Sequence, residues 1–200
     1  MKKIVAICMA ILTIQISLGF LMNPILAQET EDVVVTATVS GCDLTILIHP
    51  EKRIPQVGNW GTDLEVDIYR SSDNLYMGSF NTTSNDLLGQ TPKVNLCGLG
   101  IVLDSSNYDL YINGKSHLRR KYSNISNFNT PDNVVDLRLR GLLLAGDVSN
   151  ILDNYINILD ISVILSGFLG NQDKIDLNQD GKVNVLDLSN VITNYLTKGD

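Results

Sequence analysis

The sequence predicts a multidomain chain: an export signal over residues 1–27, an antiparallel β-sandwich over 28–140, and an all-α segment over 141–200 with two EF-hand-like calcium loops. Three observations predict this. Seven or eight short runs of β-branched or alternating residues follow one another between 33 and 140, which is sandwich grammar. Alternation stops after Gly141, and two stretches of helical period replace it, 159–169 and 186–196, each behind an Asp/Asn-rich loop. Those two halves are copies, because 156–162 aligns with 183–189 at an offset of 27 and Phe168-Leu169 aligns with Tyr195-Leu196 at the same offset. A duplication of that size is one supersecondary element used twice.

The signal comes first in the chain. Lys2 and Lys3 form a positive start, residues 4–21 are almost wholly apolar, and Asn23-Pro24 break the run before Ala27, a small residue at a cleavage point ahead of Gln28. The alternative is an uncleaved anchor through residues 4–22, at the short limit of about 18 residues for a span. Either reading exports the chain. With the signal removed, Cys8 leaves and Cys42 and Cys97 remain as an even pair, which in an exported protein favours a disulfide; the alternative is two buried thiols.

The strands follow in order. Residues 33–39 and 44–48 are β-branched runs, and 64–70 alternates cleanly, so one face is buried and Glu65 and Asp67 face water. Ser71-Ser72-Asp73-Asn74 reads as a turn into a strand at 75–80. Residues 94–96, 108–112 and 134–139 continue the series, and Asn113-Gly114 reads as a tight turn into a strand near 118–125. Leu142-Leu143-Leu144 is too apolar for a flexible joint.

The loops carry the chemistry. In the second, Asp176, Asn178 and Asp180 stand on alternate residues, Gly181 supplies the sharp turn, the Lys182 carbonyl takes the seventh place, Asn184 acts through water and Asp187 closes the loop. A hard cation wants about six to eight oxygens, and this spacing delivers oxygens alone. In the first loop Asp147, Ser149 (with Asn150 as rival), Asp153, the Tyr155 carbonyl, Asn157 and Asp160 take the same places. Asp147 lies 29 residues before Asp176 while Asp153 lies 27 before Asp180, so two residues are inserted, with Ile151-Leu152 bulging outward, and Asn154 stands in for the glycine. Two calcium ions are expected, the second loop binding more tightly. Val183 is expected to pair with Ile156. The alternative is a pair of Asx-rich turns with capping aspartates.

The duplicated D-x-N-x-D-G-x-V-N-x-x-D pattern, with a helix after each loop and none before, resembles a dockerin module over 146–196, and Gly146-Asp147-Val148 is similar to its usual start. The β part resembles the small Ig-like, carboxypeptidase-regulatory-like sandwiches, on Asn107-Tyr108-Asp109-Leu110-Tyr111-Ile112-Asn113-Gly114-Lys115-Ser116-His117. The resemblance implies calcium, a cohesin-like protein partner, and a non-catalytic role in a secreted system, one that can extend to extracellular polysaccharide breakdown. It implies partner contacts through Ile158-Leu159 with Ser162 and Val185-Leu186 with Ser189, the helices adding Val163 and Asn190. Leu159 and Leu186 have a second reading as core, because a two-helix element has little else to bury. A further alternative is a calcium staple that docks on its own sandwich, or a carbohydrate-binding accessory protein.

Composition narrows the function classes. The chain has 200 residues, 44% hydrophobic and 18% charged, which excludes wholesale disorder. The formal charge is −7; without Lys2 and Lys3, 13 basic residues face 22 acidic ones, a balance of −9. Nucleic acid is therefore a poor partner. There is no GxSxG, no HExxH and no phosphate loop, and two histidines leave few catalytic pairings. Arg119-Arg120-Lys121 reads as a solvated strand edge, and Trp60 with Tyr69 and Tyr76 as a possible sugar-stacking platform for a polysaccharide.

Overall fold

The structure, a computed structural model, describes residues 11–14, 33–36, 42–51, 60–85, 87–126, 128, 132–149 and 153–200. The cleavage point at 27–28, Cys8, Asn150 and Ile151-Leu152 lie outside the described residues. The chain divides into two compact units, 1–39 and 40–200. In the first, β1 (Ile11–Ile14) and β2 (Val33–Thr36) pair antiparallel. Among the described residues no helix is long and apolar enough to cross a membrane.

The second unit holds two sheets. β3 (Asp43–Leu47) stands between β6 (Val94–Asn95) and β9 (Asp132–Asp136). β4 (Asp63–Arg70), β5 (Leu75–Thr83), β7 (Tyr108–Gly114) and β8 (Arg120–Ile125) form the other, in the order β5-β4-β7-β8. Period-2 patterning decides the inner faces: Leu64, Val66 and Ile68 of β4 point inward with Leu110 and Ile112 of β7, and meet Leu44, Ile46 and Ile48 across the sandwich. The outward residues of β4 stay wet, as its alternation predicts. Two helices follow, α1 (Ile158–Ser166) and α2 (Val185–Thr193).

This architecture corrects the fold class expected from the sequence. The described residues are mostly β, with seven strands in the two sheets of the sandwich, and their helices are two of nine residues each, so a multidomain chain ending in an all-α module is not what forms. The physical reason lies in the core. Helices of nine residues are marginal alone, and the second hydrophobic cluster, built on Ile156, Ile164, Val183 and Val191, includes Leu118 from the sandwich side. Residues 143–145 are part of the packing: Leu143 bridges Pro50 and Ala145 bridges His117 in strand-like pairs. The sandwich is also not purely antiparallel, because β9 runs parallel to β3.

Two local expectations change as well. Asn113-Gly114 does not turn, since both residues stay in the ladder opposite Glu65 and Leu64, and the turn falls one step later, closed by His117 N–H to the Gly114 carbonyl at 2.9 Å. β8 starts at Arg120, because the N–H of Leu118 donates to Leu144 O and that of Arg119 to Asn154 Oδ1, both outside the sheet.

The helices are fastened to the sandwich by a buried carboxylate. Glu51 Oε2 accepts from Ala145 N at 3.1 Å and from the Asn194 amide, which also donates to Ala145 O at 2.9 Å. Glu51→Ala strips the buried Asn194 side chain and Ala145 N–H of an acceptor, a loss of about 2–4 kcal/mol. A thermal melt of the variant is expected to shift down by several degrees; an unchanged melting temperature would show that the latch contributes nothing.

Candidate docking and cation site

Each loop is organised by two aspartates. In the second, Asp187 has no exposed surface; its Oδ1 accepts from Leu177 N at 2.7 Å and Asn178 N at 3.3 Å, and its Oδ2 from Asn184 N at 2.9 Å. In the first, Asp160 repeats this with Val148 N at 2.9 Å, Ser149 N at 2.8 Å and Asn157 N at 2.8 Å. These bonds complete a capping box at the start of each helix, with Asn157 and Asn184 as N-caps. The opening aspartates grip the turns. Asp176 accepts from Asp180 N at 3.1 Å and Gly181 N at 2.8 Å, and Asp147 from Asn154 N at 3.1 Å. Gly181 has φ +89°, and Asn154 takes a left-handed φ of +58° in the matching place.

The sequence-predicted ligands are thus brought together loop by loop. Asp153 and Asp180 both hold the amide of the Asn four residues on, Asn157 and Asn184. The carbonyls of Tyr155 and Lys182 each accept from that same amide at 3.2 Å. Asn178 donates to Asp180 at 3.1 Å. Ser149 is buried, and its carbonyl accepts from Lys174 Nζ at 3.0 Å. Among the described residues, no three His, Cys, Asp or Glu side chains form a metal-holding cluster. The donor set mixes carboxylates with Asn amide and backbone oxygens, the mixture a hard cation takes. One buried oxygen, Asp147 Oδ1, has no hydrogen-bond partner. Burial, with Asp160's charge second, pushes the Asp147 carboxyl up to about 6. Burial likewise raises Asp176, and the Asn178, Asn184 and Lys182 hydrogen bonds keep Asp180 below the usual range despite its desolvation.

Val183 does not pair with Ile156. Its N–H and C=O bond Gly170 O and Leu169 N at 2.8 Å each, while Ile156 bonds Thr197 O at 3.0 Å and Leu196 N at 2.8 Å. Each loop therefore pairs with the tail of the other half's helix, and 169–170 against 196–197 keeps the offset of 27.

Six of the expected contact residues are on the outside, and two are not: Asn190 is buried and Val163 is half-buried against the core. Ile158 is 58% exposed, Leu159 46%, Val185 64% and Leu186 54%, and Ser162 and Ser189 are exposed too. The core reading of Leu159 and Leu186 falls, because Ile156, Ile164, Val183 and Val191 fill the core instead. Residues that sequence reasoning missed are those facing the sandwich. Asn194 is buried and bonds Glu51 and Ala145 where the first half has Gly167, and Asn154 bonds Arg119 where the second half has Gly181. Misfits at the offset of 27 were the available signal.

The other candidates resolve simply. Arg119 pairs with Asp67, Arg120 with the Leu142 carbonyl and Lys121 with Asp109, so the basic run is committed within the fold. Trp60 is buried and stacks on His49, apart from the tyrosines. Cys42 and Cys97 form the expected disulfide.

No protein-family model matches this chain, and no curated protein matches it. Solved structures do. The chain is similar to one in a C-terminal interface mutant of the type II Cohesin-X-Dockerin complex from Acetivibrio cellulolyticus, with 19% identity, 80% of this chain and 98% of that one covered, and a TM-score of 0.53. A chain in an N-terminal interface mutant of the same complex matches with 18% identity, the same coverage and a TM-score of 0.52. At this identity the likeness is one of fold.

Proposed function

We infer that this chain is a non-catalytic extracellular docking module, and that its duplicated loop–helix face, organised by two calcium ions, binds a protein partner of the cohesin kind. One observation carries the reading. Every exposed helix position has a like residue 27 places on, Ile158 with Val185, Leu159 with Leu186, Ser162 with Ser189 and Leu165 with Ile192, while the less exposed pairs Val163 with Asn190 and Gly167 with Asn194 differ. The close approach of Gly167 to Ile175 and the bonds of Asn194 to Glu51 and Ala145 account for the second difference and leave the exposed likeness to a partner outside. The neighbours' membership of Cohesin-X-Dockerin complexes supports a docking role. Asp147, Ser149, Asp153, Tyr155, Asn157 and Asp160 would hold one ion, and Asp176, Asn178, Asp180, Lys182, Asn184 and Asp187 the other, as preorganisation for binding.

The test is titration of a cohesin domain from those complexes against the whole chain, with calcium and with chelator. Calcium-dependent binding is expected. It survives Asp at Ile158 and Leu159, or at Val185 and Leu186, and collapses when all four are replaced. Calcium-independent binding, or loss from one half alone with the fold intact, refutes the paired face. Capture of a dockerin domain instead would place the chain on the receiving side of such a complex and overturn the assignment of the face.

A further inference from the structure

We propose that the outer face of β5-β4-β7 is a binding site for a neutral oligosaccharide, bordered by the start of the first loop at Asp147. A cavity of about 490 Å³ opens on this sheet and has the size of a small-molecule site. Its floor is a cross-strand row: Asn81, Glu65 and Asn113 stand directly opposite one another on β5, β4 and β7. Lys115, Asp147 and Lys174 wall it.

The outward side chains of β4 are spoken for except at this row. Asp63 accepts from Thr83 at 2.9 Å, Asp67 pairs with Arg119, and Tyr69 packs on Tyr76 and Tyr111. Glu65, Asn81 and Asn113 make no side-chain hydrogen bond among the described residues. The two wall lysines are committed as well, Lys115 to Asp173 and Lys174 to the Ser149 carbonyl. What is left to face a ligand is the Glu65 carboxylate between two amides, with the Asp147 carboxyl at the wall, a mix of acceptors and donors without a surplus of positive charge. Hydroxyl groups, which both donate and accept, match that set; phosphate or sulfate does not.

An apolar shelf lies on the same face beyond the Asp67–Arg119 pair. Tyr69 is four residues along β4 from Glu65, roughly 13 Å at strand rise, and its ring lies 5.3 Å from Tyr76 and 5.2 Å from Tyr111. Arg119 and Lys121 cover the Tyr111 ring, while Tyr76 is 51% exposed. A sugar ring can rest its C–H face on Tyr76 while its neighbour's hydroxyls reach the Asn81–Glu65–Asn113 row.

Calorimetric titration of the whole chain with cellohexaose and xylohexaose, with an oligogalacturonate as the charged control, tests this. Binding of a neutral hexaose to the calcium-loaded chain is expected, unchanged by Asp at Ile158, Leu159, Val185 and Leu186 together, and weakened about tenfold or more by Glu65→Ala, Asn113→Ala or Tyr76→Ala at an unchanged melting temperature. These side chains are outward and uncommitted or exposed, so the variants fold. No binding of either hexaose at millimolar concentration, equal binding by the Glu65→Ala/Asn113→Ala double variant, or preference for the charged control overturns the site. Because replacing those four docking residues leaves this row untouched, its failure is distinguishable from failure of the docking face.

Discussion

On the proposed calcium binding, chelator is expected to unfold α1 and α2 and to lower the melting temperature of the 40–200 unit. Two nine-residue helices hold together only through a small shared core and through loops whose closing aspartates, Asp160 and Asp187, have no exposed surface. Each ion at about a hundredfold excess over its dissociation constant contributes about 2.7 kcal/mol, so two removals cost about 5 kcal/mol. For a unit of this size that is on the order of 10–20 °C. Circular dichroism should lose helix in step. Asp180→Ala should hurt more than Asp153→Ala, because the second loop has no insertion. The metal-free protein has its own pH signature. The folded Asp147 carboxyl sits near 6, above its ordinary 3.8, so its contribution to stability is present below about pH 4 and lost as pH rises through 6. Calcium needs the ionised form, so affinity for the ion falls as pH drops below 6. Helix content and melting temperature indifferent to chelator would sink the calcium assignment.

Reduction of the Cys42–Cys97 bond is expected to lower stability by about 4 kcal/mol, the loop-entropy value for a separation of 55 residues. The topology says where the loss falls. β6 has only two residues, pairs with β3 at Leu44–Val94 and Asp43–Asn95, and gains one more bond, Leu96 N to Cys42 O at 2.7 Å. The bridge clamps the end of that short pair, and Leu96 and Ile101 behind it are core residues. The Cys42→Ser/Cys97→Ser variant should melt roughly 8–16 °C lower, reported by the fluorescence of Trp60, the single tryptophan. An unchanged melt, or alkylation of both cysteines without reductant, would remove the bridge from the account.

Much of the sandwich was legible because its signals are local. β4 alternates, and the structure buries Leu64, Val66 and Ile68 while leaving Glu65 outside. The cysteine pair was legible from count and compartment. The turn after β7 was misread because Asn113-Gly114 has turn chemistry, yet its backbone groups were worth more in the ladder opposite β4. The parallel β3–β9 pairing has no local signature at all, since strand direction follows from how a distant connection returns.

The sequence by itself determined the duplication, the oxygen spacing of the loops and the capping aspartates, all of which depend on contacts within about a dozen residues. Only the tertiary structure decided that the C-terminal segment packs on the sandwich. That depends on Leu118, Glu51 and Arg119, which lie far away in sequence and meet Ala145, Asn154 and Asn194 through packing and buried hydrogen bonds. It also decided which apolar residues face out. Leu159 and Leu186 had an equal claim to the core by periodicity, and lost it to Ile156, Ile164, Val183 and Val191 because a core this small closes around β-branched side chains already fixed by the loop-to-tail pairs.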